Sequence, residues 1–521
     1  MSNTTGRDTA PNAAVNKRER EYGMWPDPLR DEKRGEVEGE LQRTIDTMRE
    51  EGTLIKLYEF ILKHRPGNSV RPRQMTRGSY NAVFRVEYTD GDVIMRVPLP
   101  GMNAFADEKV RNEVATLRYI GKMTSIPVPH VYHWGTAAEK PLGLGPFIIM
   151  DYIPHEKTLD ALLTDQTGKG LDPNIPRDKL LHLYRQAANI ILQLSRLEMP
   201  RIGSLQQQGD SFVIGSRPLT QDMNELVVQA GVPEPIVPPE NATYSSSDEW
   251  YAALADMHLA HLTFQHNQAI DSADDCRDNL FRGTFFGSWC AKGSSRLVAC
   301  EENKKKVHSA SKKESFTLWV DDLRPHNMLV DADCNIVGVI DWEWAYFAPR
   351  AFSQGPPWWL LLGKPECWEG SVLDFRERHT AALDVFLEAL LAEEDSALTQ
   401  EQDKEEEWSI DQHIGALSLD PMPLSKRMRQ SWDSGTFWTN YAARRFYGFD
   451  TIFWEFLDEP CFGKNVEGGY EGRLNLLSEK VKRRMELFVE KKVEESKEEK
   501  IVNWDPVEAR LLLNEILTDL D

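Results

Sequence analysis

The sequence predicts a two-lobed α+β protein, with a small antiparallel β lobe followed by a larger, mainly helical lobe. Three observations carry this reading. The chain has 521 residues, too many for one compact hydrophobic core. Two β-rich runs, Val83 to Tyr88 and Val93 to Val97, flank a Thr89-Asp90-Gly91-Asp92 turn, the pattern of a hairpin. Later segments, beginning with Asp178 to Leu197, carry apolar residues at helical spacing.

The elements follow in order. Residues 1–22 are polar and charged and are expected to be disordered, within an N-terminal extension spanning residues 1–53. Leu54, Leu57, Tyr58 and Ile61 recur at helical spacing, and Pro66-Gly67 stops that helix. The small lobe covers residues 54–150: the hairpin, a helix over residues 106–121 with Val110, Val114, Leu117 and Ile120 on one face, and a short strand from Phe147 to Met150. The large lobe covers residues 151–392, and Ser246-Ser247-Asp248-Glu249 forms a capping box at the start of one of its helices. Residues 287–314, rich in Gly, Ser and Lys, read as a low-complexity surface insertion. Residues 393–407 are acidic and read as an exposed linker, followed by a helical C-terminal extension to residue 521.

Charge excludes one class of partner. Lys and Arg number 61 against 83 Asp and Glu, a net charge of −22, whereas nucleic acid needs clustered basic residues. The acidic balance chiefly serves solubility, and it also suits a cationic small-molecule substrate. The six cysteines form no CxxC pair, which points to a reducing compartment. No apolar leader and no run of roughly 18 apolar residues appears, so a cytoplasmic location without membrane association is expected.

The chemistry concentrates in three places. Arg77-Gly78-Ser79-Tyr80-Asn81 opens the hairpin, and a glycine between strands lets backbone N–H groups approach phosphate oxygens; a plain tight turn is the other reading. Arg96 stands in the apolar run Val93-Ile94-Met95-Arg96-Val97, so it faces solvent or a ligand cleft. The following helix offers Glu113, with Glu108 as a rival, to hold that cation toward phosphates. The strongest signal is Asp322 followed by Asn327 and then Asp341. An Asp at a loop start can accept a hydroxyl proton. An Asn at the loop end and an Asp at a strand end can offer oxygens to Mg²⁺.

These residues resemble the aminoglycoside phosphotransferase family, whose fold is the protein-kinase-like one. The family pattern is His-Gly-Asp-Leu-His-Pro-x-Asn, followed by Ile-Asp-Trp or Ile-Asp-Phe. Asp322-Leu323, Pro325, Asn327 and Ile340-Asp341-Trp342 match it. Asp321-Asp322-Leu323-Arg324-Pro325 and Pro356-Pro357-Trp358-Trp359 resemble the large fungal-type members. The resemblance covers roughly residues 70–345. It implies ATP and Mg²⁺ as cofactors and the hydroxyl of a small molecule as acceptor. It also implies Asp322 as catalytic base, Asn327 and Asp341 as metal ligands, and Gly78, Ser79 and Asn81 in a turn over the phosphates. Arg96, paired with Glu113, would replace the family's usual Lys. Met150, Asp151 and Ile153 would lie in the hinge that holds adenine through backbone groups.

Two positions depart from the pattern: Val320 stands where the family usually has His, and Arg96 where it has Lys. They leave a second reading beside the ATP-dependent phosphotransferase, a catalytically weak or inactive kinase-like module that binds nucleotide or a protein. Two finer expectations follow from the spacing. Asp322, five residues before Asn327, points into the cleft while Asp321 turns away, because successive side chains of an extended backbone face opposite sides. At least one of Trp358, Trp359, Trp438 and Trp454 lines the acceptor side of that cleft.

Overall fold

Alternation decides the small lobe. Along Asn81–Tyr88 every second residue, Ala82, Phe84, Val86 and Tyr88, is buried, as a strand with one face on a core requires. The computed structural model describes residues 30–520, apart from residues 79, 140–142, 169, 265–271, 292–313, 408–421 and 499–503. The sheet is built from β1 (Ser69–Pro72), β2 (Thr76–Arg77), β3 (Asn81–Tyr88), β4 (Val93–Pro98), β5 (Val131–Gly135) and β6 (Phe147–Asp151). Its order is β1-β3-β4-β6-β5, with β2 also on β3, and every pairing is antiparallel.

One face of this sheet buries Phe84, Met95, Val97 and Ile149 against two helices, α1 (Arg30–Arg49) and α2 (Glu51–His64). The N-terminal extension is thus not a separate tail throughout. Leu41, Ile45 and Met48 form an apolar stripe one and two turns apart in an otherwise charged helix, and all three are buried. The opposite face carries Ile94, Ile148 and Met150 toward α3 (Ala106–Met123), whose own face joins the core of the large lobe. The small lobe therefore rests on the large one through a helix packed against both.

The large lobe is mostly helical. Its central helices include α4 (Arg177–Ser195), α5 (Gln221–Val228) and α6 (Val372–Glu407). The capping box holds: Ser246 Oγ accepts from Glu249 N at 3.3 Å, while the Glu249 carboxylate accepts from Ser245 N at 2.7 Å. The acidic residues 393–407 are helical, the end of α6, and not an extended linker. Glu is a good helix former, and Glu394 is buried where it accepts from Ser425 N at 3.2 Å. Helices after residue 424 bury Trp432, Trp438, Tyr441 and Phe453 in the same core, so the C-terminal extension is part of the large lobe. The expected insertion at 287–314 starts inside a helix that ends at Ala291; its remainder to residue 313, like the polar residues 1–22, lies outside the described residues. Among the described residues no helix is long and apolar enough to cross a membrane.

Candidate active site

Two short ladders bring the three acidic and amide side chains together. Strand β7 (Phe316–Val320) pairs antiparallel with β10 (Ala345–Ala348), placing Val320 opposite Ala345. Strand β8 (Met328–Val330) pairs with β9 (Ile336–Val339), placing Met328 opposite Val339. The loop after β7 and the loop after β9 are forced side by side, and Ile340 N donates to Asn327 O at 3.0 Å. Asn327 is buried and its Nδ2 donates to Asp322 O at 2.9 Å and to Asp322 Oδ2 at 3.1 Å. Both partners are acceptors, so the amide nitrogen faces them and Oδ1 faces away.

Asp341 has φ of 66°, a left-handed conformation that a non-glycine residue adopts at some cost. That turn aims its carboxylate across the interlobe cleft, with 34% of the side chain exposed. Burial first, then the neighbouring Glu343, pushes this carboxyl up to about 6, and the nearby Arg96 opposes the rise.

The pleat explains why Arg96 faces the same cleft. Met95 and Val97 point into the small-lobe core, so Arg96 points to the opposite face, directly opposite Val83. There its guanidinium pairs with Glu113 of α3, sits 3.1 Å from Asp341 and 3.8 Å from Glu343. Glu108, the rival partner, belongs elsewhere: it takes a forked pair from Arg217 at 2.7 and 3.1 Å. Two residues that sequence reasoning did not assign complete the cluster. Lys109, buried on α3, donates to Glu343 Oε2 at 2.8 Å. Burial works to raise the Glu343 carboxyl, but Lys109 and Arg96 outweigh it and hold it below the usual range.

The turn into β3 closes through Gly78 N donating to Asn81 O at 2.9 Å. Asn81 Nδ2 donates to Glu343 Oε2 at 3.3 Å, and its Oδ1 is buried with no partner among the described residues. Ser79 lies outside the described residues. At the hinge Met150 is buried. Asp151 spends its carboxylate inside the small lobe, accepting from His130 N at 3.1 Å and Tyr132 OH at 2.6 Å. Its backbone N–H is spent there as well, donating to His130 O at 3.0 Å. Ile153 packs on β9 so closely that a Cβ at Gly338 would come within 2.5 Å of it.

Asp321 turns away from the cleft as alternation predicts. It is buried, accepts from Trp319 Nε1 at 2.7 Å, and burial raises its carboxyl against the pull of Arg445 and Arg444. Those two arginines come from the C-terminal helices. Arg445 also pairs with Asp222 of α5 at 2.8 Å, and the Arg444 guanidinium lies 4.1 Å from the centre of the Trp319 ring. Only the adjacency of two arginines in an aromatic stretch hints at this in the sequence. Beside Asp222, burial pushes Glu225 up to about 7; its Oε1 accepts from Gln221 Nε2 at 2.9 Å and lies 3.5 Å from the hydroxyl of Tyr80. The tryptophans divide. Trp438 stacks on Phe456 in the core, and Trp454 donates to Asp278 at 3.0 Å. Trp358 and Trp359 line an apolar cavity of about 50 Å³ with Val320, Leu323 and residues of α4, on the helix side of the loop after β7.

The donor set suits a hard divalent cation. Asp341 offers a carboxylate and Asn327 an amide oxygen, and Mg²⁺ is commonly held by one or two such groups with substrate oxygens completing the shell. Among the described residues no group of three or more His, Cys, Asp or Glu side chains forms a closed cage. The buried, unpartnered Asn81 Oδ1 and the turn at Gly78 leave polar capacity on the small-lobe side of the same cleft.

Several known proteins are similar to this chain in sequence or in fold. Clavilactone A biosynthesis cluster protein Y of Ampulloclitocybe clavipes is 26% identical over 293 residues, 54% of this chain and 62% of that protein. Altered inheritance of mitochondria protein 9, mitochondrial, of Candida glabrata is 24% identical over 162 residues, 29% of this chain and 25% of that protein. The chain thus spans less than two thirds of the length of these curated relatives. The crystal structure of aminoglycoside phosphotransferase APH(4)-Ia shares 13% identity over 73% of this chain and 99% of that one, with a TM-score of 0.36. The family model described as "Phosphotransferase enzyme family" matches residues 72–353, from β1 through both loops of the site. That match spans more than half of the 521 residues, and the chain belongs to this phosphotransferase family, with its two-lobed, protein-kinase-like fold.

Proposed function

We propose that the protein transfers the γ-phosphate of ATP to a hydroxyl group of a small molecule. The observation that carries this reading is the convergence of Asp322, Asn327 and Asp341 on one cleft, with Arg96 reaching Asp341 from the opposite lobe. Asp322 is the base. It takes the proton of the acceptor hydroxyl as the oxygen bonds to phosphorus and the bond from phosphorus to the ADP oxygen breaks. Asn327 orients that base through its hydrogen bond to Asp322 Oδ2. Arg324 lies 2.9 Å from the other oxygen, and its half-exposed side chain gives way to the acceptor. Asn327 and Asp341 would hold the metal, which would supply charge neutralisation at the phosphates. Arg96, set by Glu113, faces the phosphates, and the turn from Gly78 to Asn81 covers them. The hinge backbone beyond the strand, at Ile153, holds adenine, because Met150 pairs with Ile94 in the sheet and Asp151 N donates to His130 O. Glu225, near Tyr80 and apart from the Asp222–Arg445 pair, suits an acceptor with a cationic group.

The inactive-module reading rests on Val320. The buried Val320 leaves the loop anchored by other means: Leu323 N donates to Val320 O at 3.3 Å and Asp321 N to Trp344 O at 3.2 Å. This favours the active reading. The test is transfer of labelled γ-phosphate from Mg–ATP to a panel of hydroxyl compounds, comparing wild type with Asp322→Asn. Acceptor-dependent transfer in wild type and its loss in the variant are expected. Nucleotide binding without transfer to any acceptor class would instead establish the module.

A further inference from the structure

A lysine lies near Arg96, on the helix that follows its strand. Arg96 is engaged by three carboxylates, Glu113, Asp341 and Glu343. A planar fork locked this way is a poor substitute for a mobile ammonium. Lys109 stands on α3 four residues before Glu113, one turn away on the same helix face. Its side chain is 1% exposed. Its Nζ lies 2.8 Å from Glu343, 5.5 Å from the centre of the Trp344 ring and 5.9 Å from that of Tyr80. The ammonium therefore sits on Glu343, two residues beyond Asp341, and near Tyr80, which leads into the strand after the turn that would cover phosphates.

Stability alone does not explain such a placement, because a buried ion pair adds little over a well-packed apolar pair. Charge does. The cluster holds three carboxylates, Glu113, Asp341 and Glu343, against two cations, Arg96 and Lys109. A divalent cation at Asp341 would turn that deficit into an excess of positive charge, matched to a phosphate. An ammonium has three donors, and the hydrogen bond to Glu343 takes one of them.

We propose that Lys109 is a phosphate-binding residue, the ammonium that passes from Glu343 to the phosphate oxygens of the nucleotide; this rests on the reading of the cleft as a Mg–ATP site. The test is calorimetric titration of the full chain with Mg–ATP in wild type, Lys109→Met, Glu343→Gln and the double variant. Loss of a charge-assisted phosphate contact weakens binding about 10- to 100-fold, so both variants lacking Lys109 are expected to show that loss. Glu343→Gln releases the ammonium and is expected to bind more tightly than wild type. The double variant removes both charges and keeps the fold should Lys109→Met alone not. Wild-type affinity in the double variant would overturn the proposal, because Lys109 would then merely neutralise Glu343. Equal affinity in all four proteins would overturn it as well. A wild type that binds no Mg–ATP would remove the site reading itself, and the proposal with it.

Discussion

Arg96 of β4 and Asp341 beyond β9 lie 3.1 Å apart although 245 residues separate them. The contact joins the cation of one lobe to a carboxylate of the other across the cleft. A metal at Asp341 would compete directly with Arg96 for that carboxylate.

The two adjacent aspartates should separate cleanly by assay. Asp322→Asn is expected to lower single-turnover phosphoryl transfer by about 10²- to 10⁴-fold while sparing ATP affinity, since proton acceptance is lost and shape is kept. Asp321→Asn should instead cost about 1–3 kcal/mol in urea denaturation, because a buried partner of Trp319 Nε1 is altered. Its transfer rate should change little. The reverse ranking would show that the loop register is misassigned.

Arg96→Ala strands Glu113 in a buried setting. Breaking one side of a buried pair costs about 3–5 kcal/mol, to be read from the denaturation midpoint. Arg96→Lys keeps the charge but loses the fork that spans Glu113 and Asp341, so a smaller loss is expected. Equal stability in wild type and Arg96→Ala would mean that the cation contributes nothing to closing the lobes.

Metal binding should depend on pH. The Asp341 carboxyl is raised to about 6 in the folded protein, chiefly by burial. A raised carboxyl favours the protonated folded form, so its stabilising contribution is present in acid and lost as pH rises through about 6. Metal needs the carboxylate. Apparent Mg²⁺ affinity for the nucleotide complex should therefore fall by up to about tenfold per pH unit below pH 6. Asp341→Asn, which tolerates the left-handed backbone, should remove that slope along with most of the affinity. An unchanged pH profile in calorimetry would place the metal elsewhere.

Acid lability has an independent source. His379 of α6 is fully buried, bonded to Pro357 O at 2.9 Å and stacked 4.4 Å from Trp432, and burial lowers it to about 4. The unfolded chain takes up the proton at its ordinary value of 6.5. Stability from the neutral ring is thus complete at neutral pH and lost as pH falls from 6.5 toward 4, about 3 kcal/mol in all. His379→Phe preserves the stacking and should flatten the acid limb of a stability–pH curve. An identical limb would assign the acid sensitivity to other groups, His258 first, which burial lowers to about 3.

Some of this was legible in the chain alone. The hairpin at Asp90-Gly91, the helix carrying Glu113, and the spacing of Asp322, Asn327 and Asp341 all follow from turn chemistry and from periods of two and 3.6 residues. Those rules act within a few bonds, so a local reading reaches them. The same alternation correctly turned Asp321 inward and Arg96 outward from the small-lobe core. Other features depended on which distant elements pack together. Glu113 rather than Glu108 pairs with Arg96 because Arg217, more than a hundred residues away, claims Glu108. Lys109 enters the site because Glu343 meets α3 there, and Arg445 reaches Asp222 because the C-terminal helices fold back on the large lobe. The acidic end of α6 looked like a linker because its burying partner, the segment at Ser425, is remote in the sequence. Periodicity settles how a residue is oriented on its own element, whereas the partner of a buried charge is settled only when separate elements come within ion-pair distance.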